Sequence, residues 1–295
     1  MLSPFIQSIV TTLRKSNSYR LSGIIDIASL TPSARDKVQE HVSTYCWPLL
    51  QQAQFANLQA AGPWLFSARP GADVSAQYDF LGALDECAER AVCGWIISAL
   101  APEQLARHLS QAAVATGPDG HRYLLRYHTA TVLKVLDNRR DLPGVRQLFA
   151  PIHRWWFPEP TLNPNEQSWR SLTGADQPES LAVPAIHLDA DSWAALAGDP
   201  LSYHLAKLLR KENTAPAFDR ACPGTQIGLI DLYLRQAREH GLTRDKDLIT
   251  YVLMLACNGD NLADTPAWQQ ALSATCEQQT ALVDNLQTLL PASTR

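Results

Sequence analysis

Through the first half of the chain, apolar residues come in strand-length blocks separated by helix-spaced segments. Through the second half only the helical spacing remains. The segments LSGIIDIAS (21–29), PWLFSA (63–68) and VCGWIISAL (92–100) read as strands, the last a near-continuous apolar run of buried-strand length. Residues 33–45, 75–90 and 102–113 read as helices. Thr31 or Ser33 with Pro32 marks the start of the first, and Leu105, Leu109 and Ala112 form the stripe of the third. A GPDG turn leads into HRYLLRYH (121–128), where Tyr123, Leu125 and Tyr127 fall on one strand face and Arg122, Leu124, Arg126 and His128 on the other. From Thr129 onward, Val132, Leu133, Val135 and Leu136 switch to helical spacing, and 144–152 with HRWWF (153–157) close the unit. Strands interleaved with helices predict an α/β N-terminal lobe, with a mixed sheet, flanking helices and some parallel pairing.

Between Phe157 and Leu188 the periodicity collapses. Pro158, Pro160, Pro164, Pro178 and Pro184 predict an extended connection over 158–188, wrapping along the surface. From Asp189 every periodic segment is helical. Leu201, Leu205 and Leu208 align, as do Ile227, Ile230, Leu234 and Ala237, with Gly241 as a C-cap. A further helix opens at Thr243 with Asp245 and Asp247 in its first turn and stops near Gly259, and CEQQTALVDNLQTLL (276–290) aligns Leu282, Leu286 and Leu289. The division predicted is an α/β lobe over 1–157, the connection over 158–188, and an all-α C-terminal lobe over 189–295.

Composition narrows the function classes. At 46% hydrophobic and 18% charged the chain is globular, and a chain of this length buries a sizeable core. Residues 1–157 carry a net charge of +3 and residues 158–295 a net −7, so neither half has the strongly basic surface of a nucleic-acid binder. No apolar run reaches membrane-spanning length. The N-terminal MLSPFIQSIVTTLRKSN reads as an amphipathic helix rather than a signal peptide, so a cytoplasmic location is expected. That compartment argues for free thiols at Cys46, Cys87, Cys93, Cys222, Cys257 and Cys276, none of which forms a C-x-x-C pair.

Candidate chemistry is sparse. Phosphate-loop, dinucleotide, zinc-protease and nucleophile-elbow signatures are missing from the sequence. His187, Asp189 and Asp191 have chelating residue types, but one aspartate is expected to cap the helix starting near Ser192 and the other to face its dipole. Asp85, Glu86 and Glu89 fall on the solvated side of a helix whose stripe is Leu81, Leu84 and Ala88. Arg126 and His128 have no local base or nucleophile. The structural alternative is an ion pair from Arg126 to Asp26 at the end of an adjacent strand. Arg154, Trp155, Trp156 and Phe157 have hot-spot composition, with core packing as the competing fate of the aromatics.

Four segments in order resemble a known family: GPWLFSARPGA (62–72), CGWIISALAPEQLARHLSQAA (93–113), HRYLLRYHTATVLKVLDN (121–138) and LFAPIHRWWFPEP (148–160). They are similar to the type VI secretion effector chaperones, or adaptors of the Tap or TEC type. Leu125, Arg126, Tyr127 and His128 match the first half of that family's strand motif. Its following Asp-Pro-Arg is replaced here by Thr129, Ala130 and Thr131, leaving Thr129 to cap the helix. Asp26 stands where the family's first strand carries an aspartate, and 240–266 resembles its helical lobe. The resemblance spans 21–160 and, less closely, 225–266. It implies a non-enzymatic protein without a cofactor, one that binds a cognate toxic effector in the cytoplasm and loads it onto the VgrG spike.

The partner-binding residues expected are therefore Arg126, His128, Arg154, Trp155, Trp156 and Phe157, with Asp26 and Thr129 structural. Two other readings compete. One is an uncharacterised α/β enzyme with a site between the lobes, built from Asp26, Arg126, His128 and His187. The other is a phosphate or nucleic-acid module using Arg122, Arg126, Arg139 and Arg140, which the acidic second half opposes.

Overall fold

The computed structural model describes residues 3–42, 44–88, 91–159, 168–179, 182–212, 218, 223–258 and 260–289. The expectations placed on Glu89, Pro160, Pro164, Cys222 and Gly259 lie outside these residues. The chain divides into two compact units, Met1–Glu159 with Trp169–Ala197, and Pro160–Ser168 with Gly198–Arg295.

In chain order the first unit runs α1 (Pro4–Leu13), β1 (Arg20–Asp26), α2 (Pro32–His41), β2 (Cys46–Pro48), β3 (Pro63–Ser67), α3 (Val74–Ala88) and β4 (Val92–Ser98). It continues through α4 (Pro102–Ser110), β5 (Val114–Thr116), β6 (Arg122–Leu124), α5 (Ala130–Asp137), α6 (Pro143–Leu148), β7 (Ile152–Glu159), β8 (Ser168–Thr173), β9 (Ile186–His187) and α7 (Ala190–Ala197). The α/β expectation holds here. A six-stranded sheet has the order β2-β3-β1-β4-β7-β8, and a second sheet has the order β6-β5-β9. The pairs β2–β3, β3–β1, β1–β4 and β4–β7 are antiparallel, so the parallel pairing expected is found in the small sheet, between β5 and β9.

Burial on both sheet faces explains the apolar strands. Every residue of β4 is buried, as its near-continuous apolar run requires. On one face Leu21, Ile25, Trp95 and Trp156 pack with Ile9 and Leu13 of α1, Val38 of α2, and Leu81 and Leu84 of α3. On the other, Trp155 meets the ring edges of Tyr127 at 6.4 Å and Phe149 at 6.4 Å. Gly94 is small for a reason. A Cβ there would lie 2.5 Å from Trp155 Nε1 and 2.9 Å from the Trp156 carbonyl oxygen.

Local signals place several helix ends as read. Thr31 caps α2 by accepting from the Ala34 N–H at 3.1 Å. Asp85 and Glu86 are exposed on α3, away from its buried Leu81 and Leu84. The proline-bearing stretch contributes β8 to the edge of the large sheet, followed by a turn at 174–177. That turn is held by the Asp176 N–H donating to the Ile152 carbonyl at 3.2 Å and the Gln177 N–H donating to that of Ala150 at 2.9 Å.

The second unit is helical: α8 (Pro200–Glu212), α9 (Pro223–Glu239), α10 (Asp245–Asn258), α11 (Asp260–Ala263), α12 (Pro266–Gln278) and α13 (Leu282–Leu289). Its core joins Leu205, Ile230, Tyr233, Val252, Trp268 and Leu282. Gly241, with φ 88°, ends α9 as the sequence predicts. The single helix read over 276–290 is corrected to two. Gln279 takes a left-handed φ of 53°, and Arg244 donates to the Gln279 and Thr280 carbonyls, holding the chain in a turn between α12 and α13. Among the described residues, no helix is long and apolar enough to cross a membrane.

Candidate functional site

Asp26 is the last residue of β1, and Arg126 and His128 sit in the segment between β6 and α5. The strand expected over 121–128 stops at Leu124. From there the chain turns inward, burying Leu125, Tyr127 and His128 while leaving Arg126 partly exposed. The cationic strand face expected of Arg122, Arg126 and His128 is therefore not formed. Instead two of its members converge on one carboxylate. Arg126 Nη2 donates to Asp26 Oδ2 at 2.5 Å, which is the pairing the sequence predicts. His128 Nε2 stands 4.0 Å from the same oxygen, an ion-pair distance beyond hydrogen-bond reach.

The electrostatics follow from burial. Asp26 is 2% exposed, which pushes its carboxyl upward, but His128, Arg126 and the Ala28 N–H outweigh this and hold it below its ordinary value. Burial depresses the His128 imidazole, Asp26 opposes that, and Arg126 adds to it, for a net shift downward. A buried imidazole, a buried carboxylate and a half-exposed guanidinium clasp β1 to the segment that starts α5. Thr129 occupies the N-cap position as expected, but its hydroxyl donates back to the Arg126 carbonyl at 3.0 Å instead of capping the helix.

The aromatic run has a different fate from the docking patch expected of it. Trp155, Trp156 and Phe157 are buried, because β7 lies inside the sheet with both faces covered, so successive side chains go into core whichever way they point. These three rings offer no free surface. Arg154 is half-buried, its guanidinium 5.6 Å from the Trp156 ring and 3.4 Å from Ser8 Oγ.

The remaining candidates resolve into structural pairs. Asp189 caps α7 by accepting from the Ser192 N–H at 2.9 Å, and its second oxygen takes Arg139 Nη1 at 2.5 Å. Arg139 also reaches Asp141 at 2.9 Å and Ser192 Oγ at 2.7 Å, and it holds the Asp189 carboxyl well below the usual carboxylate range. Asp191 is exposed in the first turn of α7, and His187 is exposed on β9. Arg140 pairs with Asp137 and lies 5.0 Å over the Phe149 ring. Of the four arginines in the phosphate or nucleic-acid reading, Arg126, Arg139 and Arg140 are each tied to a carboxylate, and Arg122 is exposed on β6.

One cluster has no counterpart in the sequence reading. Tyr19 Oη donates to Asp176 Oδ2 at 2.5 Å and lies 2.8 Å from His153 Nδ1, itself 3.1 Å from the same Asp176 oxygen. Burial, then the bond to Asp176, pushes the Tyr19 hydroxyl up to about 12. Asp176 sits at a φ of 55°, a left-handed conformation that a non-glycine residue rarely takes. With its members this far apart along the chain, no local spacing signals the cluster.

Comparison with known proteins bears on the same segment. Residues 22–147 match the model of a family described as a domain of unknown function, DUF4123. No curated protein and no solved structure matches the chain. The matched stretch begins inside β1 and ends inside α6, so it takes in Asp26, Arg126, His128, Thr129 and Arg139. It leaves out Tyr19, His153, the aromatic run of β7 and the helical unit.

Proposed function

We propose that this chain is a non-enzymatic adaptor that binds a cognate secreted effector in the cytoplasm and loads it onto the VgrG spike of a type VI secretion machine. The family matched over 22–147 is linked to type VI secretion effector adaptors, and this match is the observation that carries the reading. The geometry supports it from a second side. Of the polar residues the sequence offered for catalysis, Asp26, Arg126 and His128 do come together, but His128 is 2% exposed, with its Nε2 4.0 Å from the Asp26 carboxylate. Arg139, Asp189 and Ser192 are spent on one another. These polar side chains are engaged in holding shape, which suits a protein whose work is recognition.

Reconstitution tests the loading step. With purified spike protein on a support, the effector encoded beside this chain should be retained when the adaptor is present and washed through when it is omitted. Equal retention in both conditions contradicts the loading role.

A further inference from the structure

The antiparallel order of the large sheet brings four chain segments to one end of it. The start of β1 and the start of β2 lie beside the ends of β3 and β4. Between them is a hollow of about 440 Å³, whose walls include Arg20, Tyr45, Trp47, Arg69 and the Ala101–Glu103 turn into α4. This hollow is a trough, and a second hollow of about 390 Å³ adjoins it, sharing Tyr45, Ala68 and Arg69. Ala76, Phe80 and Ala83 recur at helical spacing on the α3 side of the second hollow, with Asp79 beside them.

The trough is rich in donors that have no acceptor. Arg20 Nη1 is fixed by the carbonyls of Asn17 at 2.7 Å and Tyr19 at 2.8 Å, which orients the guanidinium and leaves its remaining N–H groups unused. Arg69 has no carboxylate partner among the described residues, and neither Tyr45 Oη nor Trp47 Nε1 has a hydrogen-bond partner there. The nearby carboxylates do not cancel this excess: Glu103 is held by Arg107 at 2.9 Å, and Asp79 lines the second hollow and not the trough. Complementarity in the trough therefore calls for an acceptor-rich, negatively charged occupant with apolar groups for the two aromatic rings. Pro48, on the edge strand β2, supplies no N–H. The occupant is accordingly read by side chains in the trough and not by an added strand.

We propose that this trough holds an extended acidic segment of the partner protein, its carboxylates on Arg20 and Arg69 and an apolar side chain against Tyr45 and Trp47. Only the identity of the partner rests on the adaptor reading.

The test uses the full chain and a fluorescein-labelled peptide of alternating glutamate and phenylalanine, read by fluorescence anisotropy. A peptide with lysine in place of glutamate is the control. The acidic peptide should bind and the basic one should not. Arg69→Glu should weaken binding about tenfold or more, since it turns a charge-assisted contact into a repulsion. Because Arg69 is exposed, that variant should melt at the wild-type temperature. Arg20→Gln serves as the second variant and should also weaken binding. Equal affinity for the two peptides, an unchanged affinity in Arg69→Glu, or ready displacement of the peptide by inorganic phosphate would overturn the proposal, the last by revealing a small-anion site. An effector complex that survives Arg69→Glu also overturns it, leaving the adaptor reading intact. Acidic-peptide binding without any effector complex upholds the trough and defeats the adaptor reading alone.

Discussion

Asp26 carries a carboxylate to a place that water barely reaches, and the two groups that answer it differ in kind. Arg126, with 44% of its side chain exposed, keeps much of its hydration, so the pair costs less to form than a fully buried one and contributes less. A double-mutant cycle of Asp26→Ala with Arg126→Ala should give a coupling energy near ~1 kcal/mol by urea unfolding, and no coupling would show the pair to be incidental. His128 sets the pH response. Its folded-state pKa is depressed, so the unfolded chain takes up this proton more readily than the folded one. Stability should then fall as pH drops through the ordinary histidine value of about 6.5, by at most about 1.4 kcal/mol per pH unit for this one group. Asp26 adds a loss at lower pH, as protonation proceeds through its own depressed value. Unfolding measured between about pH 7 and pH 5.5 should show a smaller decline in His128→Asn than in the parent, and an equal decline would remove His128 from the account. The Asp26–Arg126 pair is legible in the sequence because Asp26 ends a readable strand and Arg126 is a cation lacking any local partner. The inward turn at Leu125 is not. It breaks a clean alternation in order to bury Tyr127 and His128, which is a decision of tertiary packing.

Among the elements, β4 and β7 show what periodicity conveys and what it hides. VCGWIIS announces a strand buried on both faces, and it is one. RWWF conveys only that large rings are present. Whether they face solvent depends on where the strand stands in the sheet, and β7 stands between β4 and β8. The tight packing beneath it yields a prediction. Gly94→Ala places a Cβ against Trp155 and the Trp156 backbone, and should cost about 1–3 kcal/mol in thermal or urea unfolding. A neutral result would mean that the Trp155 ring shifts freely, contrary to the packing described. In the helical unit, boundaries are less legible than elements. CEQQTALVDNLQTLL has the apolar spacing of one helix, yet Gln279 interrupts it. The interruption is held by Arg244, a residue from the far side of α10 that no window over 276–290 contains. Asp247 secures the next turn by accepting from the Leu282 N–H at 2.9 Å and from Arg244 Nε at 2.5 Å.

At the scale of the whole chain, the α/β lobe and the helical lobe were both written in the spacing of apolar residues. The edge strand β8 was not, because prolines and a short alternating run mask a strand that needs only one buried side chain, Leu172. The candidate site was legible only in part. Asp26 and Arg126 meet as read, while Trp155, Trp156 and Phe157 are core, and the trough of Arg20, Tyr45, Trp47 and Arg69 assembles from four segments that share no motif. On the proposed function the molecule is a shaped surface for another protein, with the clusters around Asp26, Arg139 and Asp176 engaged in internal support. Co-expression of the full chain with the effector encoded beside it, followed by size-exclusion chromatography, tests this most directly. Co-elution of the two proteins as one stable species, with the isolated chain inert toward common substrates, is the result predicted. Separate elution, or substrate turnover by the isolated chain that disappears in His128→Asn, would contradict it.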